Sequence, residues 1–167
     1  MPLVSRVRPK LGDVVEISTS QGLAYAHYTH EHSTHPKYGS LLRILPGFHA
    51  SRPDDFVALV TRAPSFSAFY PLGAACNRKL VTIVANEPIA EGNRAFPIFR
   101  SRMSRAHPWW LWNGLESWKA GDLSAQQLKD FPPREIWNHA LLVERIEQGW
   151  RHEFDLGPLP PVALPHE

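Results

Sequence analysis

Leu11-Gly12-Asp13-Val14-Val15-Glu16-Ile17, followed by Gly22-Leu23-Ala24-Tyr25-Ala26-His27-Tyr28, reads as the first two strands of a β-meander. Val14, Val15 and Ile17 are β-branched and suit a pleated surface, and Ser18-Thr19-Ser20-Gln21-Gly22 supplies the polar turn between the strands. Working outward, a polar loop over 31–38 leads to a third strand over 40–45, ended by Pro46-Gly47. Ser51-Arg52-Pro53-Asp54-Asp55 has the features of a helix start: a capping serine, an early proline and carboxylates at the positive end of the dipole. Phe56, Leu59 and Val60 share one side of that helix, and Pro64 stops it, so it is placed over 52–62. Two further strands are expected over 66–72 and 80–85. The second is apolar enough to be buried on both faces, and 73–77 between them is too short to assign.

The second half carries sharper local signals. Asn113-Gly114 is the preferred pair for a two-residue type I′ turn, which predicts a hairpin over 108–119. That turn would set Trp112 opposite Leu115 and Trp109 opposite Trp118, with Trp110 and Trp112 on the other face. Ser124 followed by Gln127 fits a capping box and predicts a short helix to Asp130. A longer helix is expected over 134–148, with Ile136, Ala140, Val143 and Ile146 as its apolar stripe, Trp137 and Leu141 beside it, and Gly149 as terminator.

The 167 residues suffice for one domain with a true core. A net charge of +2 gives no global field favouring nucleic acid or a membrane surface. Sixteen prolines predict short elements and frequent turns. Cys76 is the only cysteine, which rules out an internal disulfide or a cysteine-rich zinc site. No apolar run has the length of a signal-peptide core or of the ~18-residue membrane span, so a cytoplasmic protein is expected. Together these readings predict a single α+β domain over 11–150, built on a bent, mainly antiparallel sheet with the helices near 52–62 and 134–148 packed on it. A basic arm over 1–10 precedes it and a proline-rich extended tail over 151–167 follows.

Two clusters could carry chemistry. His30-Glu31-His32-Ser33-Thr34-His35 is similar to the H-x-H-x-D-H string with which metallo-β-lactamase-fold hydrolases bind zinc. Thr34 stands where the ligating Asp belongs, and a hydroxyl cannot replace that carboxylate, so a solvated loop is the simpler expectation. The second cluster joins Arg94, Arg100, Arg102 and Arg105, in a stretch without acidic residues, to Trp109, Trp110 and Trp112. Arginine and tryptophan are the side chains of protein hot spots, and also of single-stranded nucleic-acid platforms. Both strand faces of the expected hairpin carry bulky groups, so it is either sandwiched in a core or exposes an aromatic partner surface. No nucleophile elbow, glycine-rich phosphate loop or dinucleotide fingerprint is present.

The opening meander, then Phe69-Tyr70-Pro71-Leu72, Leu80-Val81-Thr82-Ile83-Val84-Ala85-Asn86-Glu87-Pro88-Ile89, Phe96-Pro97-Ile98-Phe99-Arg100, Trp110-Leu111-Trp112-Asn113-Gly114 and Ile136-Trp137-Asn138, come in an order that resembles the immunity protein 26 family. That family is associated with neutralising the secreted toxins of bacterial polymorphic toxin systems. The likeness spans roughly residues 11–150, with Ser18 where the family tends to have Pro and Ala26 where it tends to have Gly. It implies binding rather than catalysis: a cognate protein toxin as partner, no cofactor and no catalytic residue. Trp109, Trp110, Trp112, Arg100, Arg102 and Arg105 are the candidate partner-binding residues. The alternatives are a metal-dependent hydrolase using His30, His32 and His35, or a small nucleic-acid-binding module.

Overall fold

The computed structural model describes residues 6–162; the outer parts of the expected arm (1–5) and tail (163–167) lie outside the described residues. The fold is α+β and mainly antiparallel sheet, as expected, but its eight strands form two sheets rather than one. They belong to two compact units. One contains residues up to 96 together with 135–150, the other 97–134 together with the chain from 151.

The first unit is built on β1 (Asp13–Thr19), β2 (Gly22–His32), β3 (Gly39–Ile44), β4 (Phe66–Tyr70) and β5 (Thr82–Asn86). Their order is β4-β3-β2-β1-β5, every pair antiparallel. The opening hairpin is tighter than its polar stretch suggested, since Thr19 already pairs with Gly22. Gly22 has φ +124°, and a Cβ there would lie 2.8 Å from the His49 carbonyl oxygen, so the turn requires glycine. β2 runs on through His32 and absorbs residues expected in a loop. β5 is an edge strand, half-buried and paired only with β1, not a strand covered on both faces. One apolar run cannot distinguish these placements, because sheet position is decided by non-local pairing.

Alternation along the strands gives two apolar layers. Val15, Ile17, Leu42, Ile44 and Phe66 face one side, and Val14, Tyr25 and Leu45 face the other. The expected helix over 52–62 contracts to α1 (Val57–Val60), whose Leu59 and Val60 join Phe56 on the second layer. Ser51 caps nothing; Asp55 instead accepts from Val57 N at 3.2 Å. α2 (Leu72–Asn77) occupies the segment too short to assign and is closed by Lys79 at φ +60°. On the first layer lies the helix expected over 134–148, but it begins at His139 and runs to Glu147. Asn138 caps it by accepting from Leu141 N at 2.8 Å, while 134–137 stay extended and Trp137 N donates to Phe69 O. The buried stripe is therefore Leu142 and Ile146, with Trp137 and Trp150; Ile136 and Ala140 are exposed. The cap outweighs the apolar periodicity running through it, because a satisfied first-turn N–H fixes where a helix starts.

The second unit holds β6 (Phe99–Ser101), β7 (Trp109–Trp112) and β8 (Ser117–Gly121) in that order, with a short helix at Ala125–Asp130. Ser124 and Gln127 form the expected reciprocal capping box. The hairpin exists, but its register is shifted by two residues from the expected one. Trp112 pairs with Ser117 and Leu111 with Trp118. Asn113 explains the shift: its Oδ1 accepts from Leu115 N and Glu116 N, making a four-residue loop in place of a two-residue turn. No helix among the described residues is long and apolar enough to cross a membrane.

Candidate partner surface on the three-stranded sheet

The six arginine and tryptophan candidates all fall in the second unit, which separates them into two groups. Arg100 sits on β6 and is only 1% exposed. Its Nε donates to Phe131 O, its Nη1 to Asp155 O, and its Nη2 to Leu128 O and His152 O. A guanidinium is planar, permanently charged and rich in donors, so it can gather four carbonyls that no neutral side chain could satisfy together. Arg102 continues the pattern by donating from Nε and Nη2 to Leu156 O. Arg105 donates to Gly157 O at 3.1 Å.

Trp109 lies beneath this array. The Arg100 guanidinium is 4.7 Å from its ring centroid and that of Arg102 is 4.0 Å away. Cation–π attraction strengthens as such contacts are desolvated, and Trp109 is 5% exposed. Gly157 is required beside Arg102. Its φ is +87°, and a Cβ there would stand 3.1 Å from the Arg102 side chain. Trp112, also 5% exposed, packs against Phe99 at 5.5 Å between centroids, with the Arg134 guanidinium 4.0 Å from its ring. Arg100, Arg102, Trp109 and Trp112 thus spend their side chains inside the unit, and Arg105, though exposed, is fastened to the segment beyond 151.

Trp110 differs. It lies on β7, the central strand, between Ser101 on β6 and Lys119 on β8, and is 45% exposed. Trp109 and Trp110 alternate in and out, and a β-bulge opposite them, where β8 steps from Lys119 to Gly121, locally twists the pair. The backbone of a central strand is paired on both sides, so this indole is held out on a rigid platform. Met103, Leu115 and Trp118 of the same unit are exposed as well. The two-residue turn pairs Trp118 with Trp109 and Leu115 with Trp112, whereas the observed register sets Trp118 opposite Leu111 and leaves Leu115 in the loop; Met103 lies just past the end of β6.

The histidine string has a different setting. His30 donates from Nε2 to Arg94 O at 2.8 Å and its Nδ1 accepts from the Thr29 hydroxyl at 2.9 Å. His32 is buried on β2, where its Nδ1 accepts from Tyr38 N and its ring meets Phe69 and Phe96. His27 is fully buried and donates from Nε2 to Gly12 O and Glu87 O. No group of three or more His, Cys, Asp or Glu among the described residues is placed to hold a metal ion.

Burial lowers the pKa of His30, and likewise of His139, whose Nδ1 accepts from the Tyr70 hydroxyl at 2.8 Å. Burial also pushes that Tyr70 hydroxyl up to about 12, which keeps it the donor. A histidine harder to protonate in the folded state makes the unfolded chain bind more protons as pH falls below its ordinary value of about 6.5. Stability is therefore expected to fall as pH drops below about 6.5, towards the lowered folded-state pKa values of the two histidines. Glu16, held low by its hydrogen bond to Arg52, and Glu147, held low by Ser20, lose their contributions only in the carboxylate range below. Thermal unfolding across that window checks this, and His30→Gln combined with His139→Gln should flatten the slope.

Family models, curated proteins and solved structures were all compared with this chain, and none matches. The chemistry of the surface therefore has to be read from its own residues.

Proposed function

We propose that this protein is an immunity-type inhibitor that binds a secreted bacterial protein toxin in the cytoplasm and blocks its action, with Trp110 at the centre of the contact. The observation that carries the reading is the exposure of Trp110 on the central strand of a sheet whose other candidate aromatics are buried. Hot spots are rigid, amphipathic and large, and tryptophan is the most enriched residue in them. The resemblance of the sequence blocks to toxin-immunity proteins supports the same class of partner. In this reading Arg100, Arg102 and Trp109 stiffen the platform, while Lys119 and Arg105 supply rim charge that steers association.

Co-expression with a toxin encoded beside this gene tests the function, with growth rescue and co-purification expected. Trp110→Ala should then weaken toxin binding by about 2 kcal/mol, roughly thirtyfold, while the melting temperature stays within about 2 °C of the parent. Absence of rescue by the soluble protein would remove that toxin as the partner. Oligonucleotide binding that weakens steeply with salt would favour a nucleic-acid module instead.

A further inference from the structure

The basic arm carries more than its charge. Val7 is fastened to the first unit by Asn77, whose Oδ1 accepts from Val7 N at 2.9 Å and whose Nδ2 donates to Val7 O at 3.2 Å. Asn77 is itself held, since Nδ2 also donates to Gly73 O one turn back in α2 at 2.8 Å. The docked arm forms one wall of a cleft of about 880 Å³. Arg6 and Arg8 from the arm and Arg78 from the end of α2 line it, together with Tyr28, Glu31 and Ser40 from β2 and β3.

Three features of this cleft point to a ligand. The first is an excess of positive charge, three arginines to the one carboxylate of Glu31. The guanidiniums of Arg6, Arg8 and Arg78 have no hydrogen-bonded or ion-paired partner among the described residues. Three cations around one cavity repel each other unless an anion joins them, and a guanidinium fork matches phosphate oxygens in geometry as well as charge. The second is a positioned acceptor. Glu31 Oε2 accepts from the Tyr28 hydroxyl at 2.6 Å and from Ser40 Oγ at 3.1 Å, which orients the carboxylate and leaves Oε1 open. Carboxylates so held take hydroxyl donors, as they do with ribose. The third is size: the volume falls in the range of about 300–1,000 Å³ typical of small-molecule sites, and Val7, Pro9 and Ala74 add apolar surface.

We propose that this cleft binds a phosphorylated small molecule bearing sugar hydroxyls, its phosphate on Arg6, Arg8 and Arg78 and a hydroxyl on Glu31. Burial and the bond to Glu31 raise the Tyr28 pKa, so that hydroxyl stays a donor and helps keep the carboxylate in place. A nucleotide and a sugar phosphate share this chemistry, and the probes separate them.

Isothermal titration of the full chain at low salt would use ADP, glucose 6-phosphate, and adenosine and glucose as unphosphorylated controls. Binding of ADP or of glucose 6-phosphate with a Kd near or below about 100 µM is expected, with the matching control at least about tenfold weaker. ADP alone binding assigns the nucleotide class; glucose 6-phosphate alone binding assigns the sugar phosphates. Arg8→Ala combined with Arg78→Ala should weaken binding by about thirtyfold, and Glu31→Gln by about tenfold. These side chains are exposed, so the variants should melt with the parent, which separates a lost ligand contact from a lost fold. Failure of both phosphorylated probes to bind at millimolar concentration would overturn the proposal, as would binding that survives the double arginine substitution.

Discussion

Replacing Arg100 with methionine is expected to destabilise the protein by about 4 kcal/mol and lower its melting temperature by about 10 °C. The guanidinium donates to four carbonyls drawn from three places in the chain: Leu128, Phe131, and the pair His152 and Asp155. Hydrogen bonds from a charged donor are worth about 1.5–3 kcal/mol each, and the half-buried Leu128, Phe131, His152 and Asp155 would lose that donor together. Part of that sum is offset, because methionine does not carry the desolvation cost of a buried charge. Arg100→Lys should recover little. An ammonium is a compact point charge with three donors and cannot span the positions a planar fork reaches. The chain beyond 151 should be released first, so limited proteolysis of the arginine variants should cut between 151 and 158 while the parent resists. A variant that melts like the parent would mean that water or a neighbouring side chain satisfies those carbonyls.

Trp137→Ala is expected to cost about 3–5 kcal/mol, the usual range for emptying a buried tryptophan site. Trp137 is 2% exposed and meets Trp150 edge-on at 5.0 Å and Phe66 at 5.4 Å. The Arg145 guanidinium lies 4.5 Å from the ring centroids of both tryptophans. Truncation therefore opens a cavity and also removes one of two aromatic faces over a largely desolvated cation. Trp137→Phe, which keeps most of the volume, should cost less than half as much. Chemical denaturation measures both, and the contrast with Trp110→Ala is the informative comparison. The same residue type should be dispensable for stability at 110 and indispensable at 137.

What the sequence revealed depended on how local the deciding interaction was. The opening hairpin and the Ser124–Gln127 capping box involve residues a few positions apart, and both are present much as read. The 113–114 hairpin was legible as a hairpin but not in register, because the Asn113 side chain competes for the same backbone donors as the two-residue turn. The last helix was legible as a helix, yet its start depended on whether Asn138 capped it or lay inside the pattern. The role of Arg100 was out of reach. Its partners are backbone carbonyls up to 55 residues away, and a carbonyl has no side-chain identity to search for. The cleft lined by Arg6, Arg8 and Arg78 needed the arm to be docked, and only the reciprocal amide bonds of Asn77 show that it is.

The chain visits the first unit, leaves it after residue 96, builds the second, and returns at 135 before closing both. This order has a consequence during synthesis. The first sheet must wait on the ribosome for Trp137, Leu142 and Ile146 to cover one apolar layer. Arg100 waits longer still, for His152 and Asp155. Neither unit can mature before residues 135–155 have left the exit tunnel, so until then the nascent chain exposes uncovered β-sheet, the kind of surface that makes folding intermediates prone to aggregate.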